Sequence, residues 1–150
     1  MYKLTESFPY LLNRVGVRMG ELFARRIASY DVTVPAYRVM AALREKPDQR
    51  LNDLADMTTI EISTLSRLVG SMEKRALVSR VRLLNNARTV AITLTAAGTL
   101  LIDELMPIAK HFEDVTIAGM PDAKLNLVRE TLLEVFERLD ALEQETAPTD

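Results

Sequence analysis

A mainly α-helical fold with one small β-hairpin, an α+β arrangement, is predicted by three observations on this 150-residue chain. Apolar residues recur at three- and four-residue spacing near both ends and in the middle, the period of helices that bury one face. After Ala76 the period switches to alternation in two runs separated by asparagines, the pattern of two strands and a turn. Between Ile62 and Leu94 lie Arg67, Lys74, Arg75, Arg80, Arg82 and Arg88 against Glu73 alone, six bases minus one acid, or +5; the whole chain carries −2, so the remainder carries −7. Phosphate contact needs local positive charge rather than a basic average, so a polyanion-binding patch on an acidic protein leaves this signature.

The first helix is predicted along Phe8, Leu12, Val15, Met19, Leu22, Phe23 and Ile27, which share one side. Gly16 and Gly20 fall on one face of it. They suit close approach of another helix better than a phosphate cradle, since no strand precedes them and no glycine-rich turn surrounds them. A short helix follows from Leu51 to Met57, with Leu51, Leu54, Ala55 and Met57 as apolar contacts and Asn52 as a candidate N-cap.

Residues 58–61 form a turn into a second helix, on which Ile62, Leu65, Leu68, Val69 and Met72 make the apolar stripe. Its other face carries Ser63, Thr64, Ser66, Arg67, Gly70, Ser71 and Lys74, short-chained, hydroxyl-rich and free of carboxylates from Ile62 until Glu73. Small hydroxyl side chains let a helix sink into a major groove, where Ser and Thr bond bases or phosphates and Arg forks onto guanine. Two short helices joined by a tight turn are a helix-turn-helix, whose second helix enters the groove. The start of that second helix stays open, because Thr58 with Glu61 would form a capping box and begin it earlier than the groove-reading face requires.

In the first strand Arg80 and Arg82 alternate with Val81 and Leu83; in the second, Val90, Ile92 and Leu94 alternate with Thr89, Ala91 and Thr93. Residues 84–87 supply the tip, where Asn85 and Asn86 suit a turn, with Arg88 at its far side. A basic hairpin directly after a recognition helix is a wing, and its arginine is placed to enter a narrow minor groove. The competing reading of Arg80, Arg82 and Arg88 is a solvated edge strand guarded by charge.

Thr95 is expected to cap a helix reaching to about Gly119 and interrupted at Pro107, where a lost backbone donor bends it and makes a hinge. From Pro121 to Glu145, Leu125, Val128, Leu132, Val135, Leu139 and Leu142 step alternately by three and four residues, a heptad seam widened by Leu127, Leu133 and Phe136. Such a helix would run roughly 37 Å. So long an apolar face exceeds what one small winged helix can cover, and pairing of the N- and C-terminal helices within and between two chains is expected. Phe8 and Leu12 join the seam residues as the expected dimer interface. A monomeric all-α bundle that covers them internally is the alternative.

These pieces together resemble the MarR family of dimeric winged-helix transcription factors. Val32-Thr33 leads to Tyr37 and Val39-Met40; Leu54-Ala55 follows; then come Ser63 to Val69, Met72-Glu73-Lys74-Arg75, Leu77-Val78, and Leu94-Thr95 with Gly98. The match is dense from about 31 to 100, expected as the winged-helix DNA-binding core of a single domain over 1–150, with dimerisation helices at about 1–30 and 101–150. The family's helix-ending glycine is Ala76 here, its wing aspartate is Asn86, and Glu61 stands where a small capping hydroxyl is common. The resemblance implies a homodimer bound to a pseudo-palindromic operator in double-stranded DNA, usually as a repressor, with Ser63, Thr64, Ser66, Arg67, Ser71, Lys74, Arg75, Arg80, Arg82, Asn86 and Arg88 on the DNA. It also implies release by a small aromatic or phenolic anion, for which Arg18, Met19 and Tyr37 are the candidate lining. The alternative is a winged-helix interaction module that has lost specific DNA binding, a reading that Ala76, Asn86 and Glu61 encourage.

Catalysis is not expected. His111 is the only histidine and reads as a surface or packing residue; pairs such as Asp103 and Glu104 diverge on a helix. There is no cysteine, which removes disulfides, thiolate metal sites and thiol redox sensing. No cofactor or metal is expected. Residues 1–10 hold no secretory signal and no apolar run approaches the ~20 residues a membrane span needs, so no membrane partner and a cytoplasmic location are expected.

Overall fold

A computed structural model describes residues 1–83 and 86–146; the side chains of Asn86 and Ala87 lie outside that description, as does the hairpin tip at Leu84 and Asn85. The elements run α1 (Phe8–Ile27), α2 (Val34–Glu45), α3 (Leu51–Thr58), α4 (Ile62–Lys74), β1 (Val78–Leu83), β2 (Asn86–Leu94), α5 (Ala96–Thr116) and α6 (Asp122–Thr146), with short 3-10 turns at Leu4–Glu6 and Ala28–Tyr30. The chain divides into two compact units, Met1–Phe112 and Glu113–Asp150.

One core organises the first unit. Ile27, Val39, Met40, Leu43, Leu54, Leu65, Val69, Met72, Val78, Ile92, Ile102 and Leu105 are buried in it, drawn from α1, α2, α3, α4, the hairpin and α5. Phe23 stacks edge-on to Tyr37 at 4.9 Å and tilts over Phe112 at 5.6 Å, so the end of α1 is tied to α2 and α5 by aromatic contact. An Arg44–Asp103 pair at 2.8 Å joins α2 to α5 at the surface. The helical members of this core come from the apolar stripes of amphipathic helices, and Val78 and Ile92 from the hairpin.

The helix ends show where local chemistry sets boundaries. Thr33 caps α2 by accepting from the Ala36 N–H at 3.3 Å, with Pro35 in the first turn. Asn52 is not the cap of α3; Arg50 holds that position without a side-chain bond, and Asn52 lies inside the first turn. Thr58 does not open α4 with a capping box either. It closes α3, buried with its hydroxyl donating to the Leu54 carbonyl at 2.7 Å, and Thr59 follows in the left-handed region at φ 56°. Ile62, expected in the buried stripe of α4, stands at its first position and is 43% exposed. α5 is continuous through Pro107, rather than interrupted there, and ends at Thr116.

The hairpin is antiparallel, with Val78 opposite Leu94, Arg80 opposite Ile92 and Arg82 opposite Val90. Directly paired residues share a face, so the arginines lie on the same side as the apolar residues of the return strand, not opposite them. Each arginine is directly opposite an apolar residue, Arg80 beside Ile92 and Arg82 beside Val90. Near the root, Ile92 is buried by a bridge to Gln49 (Ile92 N to Gln49 O 2.7 Å; Gln49 N to Ile92 O 3.2 Å), while farther out Val90 is exposed. Gln49 is itself buried, its amide donating to the Ala42 carbonyl at 3.1 Å and the Lys46 carbonyl at 2.8 Å.

Four elements meet at one turn after α4. Ala76 takes φ 57°, the Ala76 N–H bonds the Glu73 carbonyl at 2.9 Å and the Leu77 N–H bonds the Met72 carbonyl at 3.0 Å, which is a Schellman C-cap with alanine in the position that favours glycine. Thr95 then donates its hydroxyl to the Ala76 carbonyl at 2.6 Å and its N–H to the Leu77 carbonyl at 3.1 Å, and accepts from the Gly98 N–H at 3.0 Å as cap of α5. A Cβ on Gly98 would stand 2.0 Å from the Leu77 carbonyl oxygen, so only glycine fits there.

α6 contains no buried residue. Leu125 and Val135 are half-buried, while Val128, Leu132, Leu139 and Leu142 of the seam and Leu127, Leu133 and Phe136 beside it are exposed. In α1 only Phe23 and Ile27 are buried; Phe8, Leu12, Val15 and Met19 are exposed.

Two substitutions test the turn. Ala76→Gly removes the left-handed penalty on a residue with a Cβ and should raise the urea-unfolding free energy by about 1 kcal/mol. Gly98→Ala forces the Leu77 carbonyl to move and should lower it by about 2 kcal/mol or more, with both read from urea titrations followed by circular dichroism.

Candidate nucleic-acid interface

Leu65, Val69 and Met72 recur every three or four residues and are buried, so α4 is anchored by one face and the opposite face is left to solvent. There Ser63, Thr64, Arg67, Ser71 and Lys74 are exposed, with Ser66 and Gly70 half-buried. Nothing lies within 4 Å of where a Gly70 Cβ would be, so the middle of this face is open. The residues expected to enter a groove are therefore brought together on one accessible side of one helix. Arg75 differs: its guanidinium lies 3.7 Å from Asp31, toward the end of α1.

The first turn of α4 gives Glu61 a role other than the expected capping-box partner of Thr58. Glu61 is the N-cap, and its carboxylate accepts from the Ser63 N–H at 2.9 Å, the Thr64 N–H at 3.0 Å, the Ser63 hydroxyl, and the Thr64 hydroxyl at 3.2 Å. The bond from the Ser63 hydroxyl, then those from the two backbone N–H groups, lower its pKa from 4.5 to about 2. Its negative charge sits at the positive end of the helix dipole. A cap is usually Ser, Thr, Asp or Asn; the longer Glu side chain reaches the same N–H groups and collects the two hydroxyls as well.

In the wing, Arg80, Arg82 and Arg88 are exposed. Arg80 Nε lies 3.7 Å from Glu73 Oε1, so the lone acid near the end of α4 is paired across to the root of β1 and its charge is partly offset. Asn86, expected on the DNA, begins β2, and its side chain lies outside the described residues. Gln49 was not anticipated as a structural support of the wing; a single buried glutamine in a polar stretch leaves no periodic mark.

Of the three ligand candidates, Arg18 and Tyr37 line two different concavities. Arg18 lines a concavity on α1 with Tyr10, Asn13, Arg14 and Val17, and lies 3.5 Å from Glu21. Tyr37 lines another with Arg38, Ala41, Ala42, Glu45, Met57 and Thr58, while Met19 is exposed and lines neither. Among the described residues no group of His, Cys, Asp and Glu could hold a metal ion, and no helix is long and apolar enough to cross a membrane. His111 is exposed.

Comparison with known proteins gives the same picture. Residues 32–90 match the model of the MarR family. The HTH-type transcriptional repressor IacR of Pseudomonas putida is 24% identical over 138 residues, 91% of this chain and 83% of its own. The structure of BpsR from Bordetella bronchiseptica, a protein whose DNA binding is regulated by 6-hydroxynicotinic acid, is 25% identical and superposes with a TM-score of 0.81, over 90% of this chain and 96% of that one. CouR from Rhodococcus jostii RHA1 shares the fold at a TM-score of 0.82 and 24% identity, over 90% and 95%. Matched span, ordered motifs and fold agree in their likeness to the MarR family of winged helix-turn-helix transcriptional regulators.

Proposed function

We propose that the protein is a homodimeric repressor that reads a pseudo-palindromic operator with α4 in the major groove and the wing against the adjacent minor groove. The observation that carries this is the open outer face of α4, where hydroxyls, Gly70, Arg67 and Lys74 lie together beside a wing bearing Arg80, Arg82 and Arg88. Ser63, Thr64, Ser66 and Arg67 approach base edges; Ser71 and Lys74 meet phosphate; Arg82 and Arg88 follow the minor groove. Arg75 supports the end of α4 through Asp31 rather than reading bases. The interaction-module alternative drew on Ala76, but that residue takes the left-handed turn a glycine would, which weakens that ground for it.

Dimerisation is supported by the exposed seam of α6. Leu127 at 64%, Leu133 at 66%, Leu139 at 57% and Leu142 at 55% exposure would leave an apolar face of a kind that soluble monomers rarely tolerate. A second copy supplies the same heptad pattern, and a two-fold pair of reading heads matches a palindrome. DNA as partner implies a cytoplasmic location. A small aromatic acid is the effector class, supported by the likeness to BpsR; the two guanidinium groups and the phenol of the Tyr10, Arg14 and Arg18 concavity suit a carboxylate on a ring. Effector binding that changes the angle between heads would spoil the match to successive turns of DNA.

Affinity for the operator should fall by ~10³ or more between about 50 and about 200 mM salt if six to ten phosphates are neutralised. Arg67→Ala should weaken operator binding by roughly tenfold to a hundredfold with little loss on unrelated duplex, whereas Lys74→Ala should weaken both alike and flatten the salt slope, as measured by fluorescence anisotropy. Unchanged binding in both variants would dismiss the reading. For the dimer, light scattering should give twice the 16.9 kDa chain mass, and Leu132→Glu with Leu139→Glu should give the single mass and lose the operator affinity that depends on two half-sites.

A further inference from the structure

The first turn of α4 has an unusual hydrogen-bond polarity. Glu61 is an ionised carboxylate, which can only accept; Ser63 and Thr64 each have one hydroxyl proton, and both protons point to Glu61. Toward anything outside the protein, these three exposed side chains therefore offer lone pairs and no protons. The bonds are also unevenly shared. Oε2 accepts from the Ser63 hydroxyl, the Thr64 N–H and the Thr64 hydroxyl, while among the described residues Oε1 accepts only from the Ser63 N–H, which leaves it a further acceptor position.

The N-terminal residues of a recognition helix are the ones that meet base edges. In the major groove guanine presents only acceptors, thymine an acceptor and a methyl group, and adenine an acceptor beside its amino group; cytosine presents a donor alone. An acceptor-only turn is repelled by the first two and half-matched by the third. Phosphate oxygens are repelled as well, so the carboxylate gives nothing to sequence-independent binding.

We propose that Glu61 is a specificity-determining residue that requires a cytosine amino group at one position of each operator half-site, with Oε1 as the accepting atom and Ser63 and Thr64 held as acceptors beside it. This rests on the DNA-reading function proposed above. It makes Glu61 a discriminator against wrong sequences rather than a flaw in a basic surface.

The test is selection of bound duplexes from a random pool with the wild-type protein, Glu61→Gln and Glu61→Ser. Serine supplies an ordinary N-cap, and circular dichroism confirms that each variant is folded. The wild type is expected to enrich a palindrome with cytosine at one symmetric position; both variants should keep the rest of the palindrome, lose about tenfold in the preference for cytosine there, and bind unrelated duplex at least as tightly. If both folded variants enrich the same cytosine as the wild type, the proposal is overturned while the DNA-reading function stands. If the wild type enriches no sequence, that function itself fails and the proposal falls with it.

Discussion

The turn at Ala76 and Leu77 is the constraint on which the candidate interface depends. It ends α4, begins the wing, receives the end of the wing through Thr95 and rests against Gly98 of α5. A helix and a hairpin can act on one duplex only if their angle is fixed to within the reach of a side chain. Here it is set by backbone hydrogen bonds from Leu77, Ala76 and Thr95, and by a contact too close for any Cβ, rather than by flexible surface pairs. Alanine in a left-handed position costs stability, and the bonds converging on it hold the conformation regardless.

Electrostatics act on top of that frame. A chain of net −2 presents a positive patch because its acids are placed elsewhere or paired: Glu73 with Arg80, Asp31 with Arg75. Both pairs are partly exposed at 3.7 Å and contribute little to stability. Their effect is on where charge is offered. Glu61 places a carboxylate at the start of α4, and its hydrogen bonds keep it charged.

Much of this was legible in the sequence because it repeats. The 3.6-residue stripe through Leu65, Val69 and Met72, the alternation about Arg80 and Arg82, and the seam of α6 all follow from period alone. What period does not carry was missed. Gln49 is buried because its amide meets the Ala42 and Lys46 carbonyls while its backbone pairs with Ile92, forty-odd residues away, and no local pattern announces such a partner. Ile62 fits the stripe by spacing but falls at the first position of α4, before the helix has turned its face to the core. Glu61 was read as an intruder because capping preference favours short side chains; the two hydroxyls that follow it make the long one fit.

On the function proposed above, α4 and the wing form one DNA-reading surface, presented twice by a two-fold dimer. Dimethyl sulfate interference on a bound operator reads both grooves at once, through guanine N7 in the major and adenine N3 in the minor. Two symmetric clusters of guanine interference are expected about 10 base pairs apart, each with adenine interference on one flank. A single cluster, or binding indifferent to methylation in either groove, would contradict it.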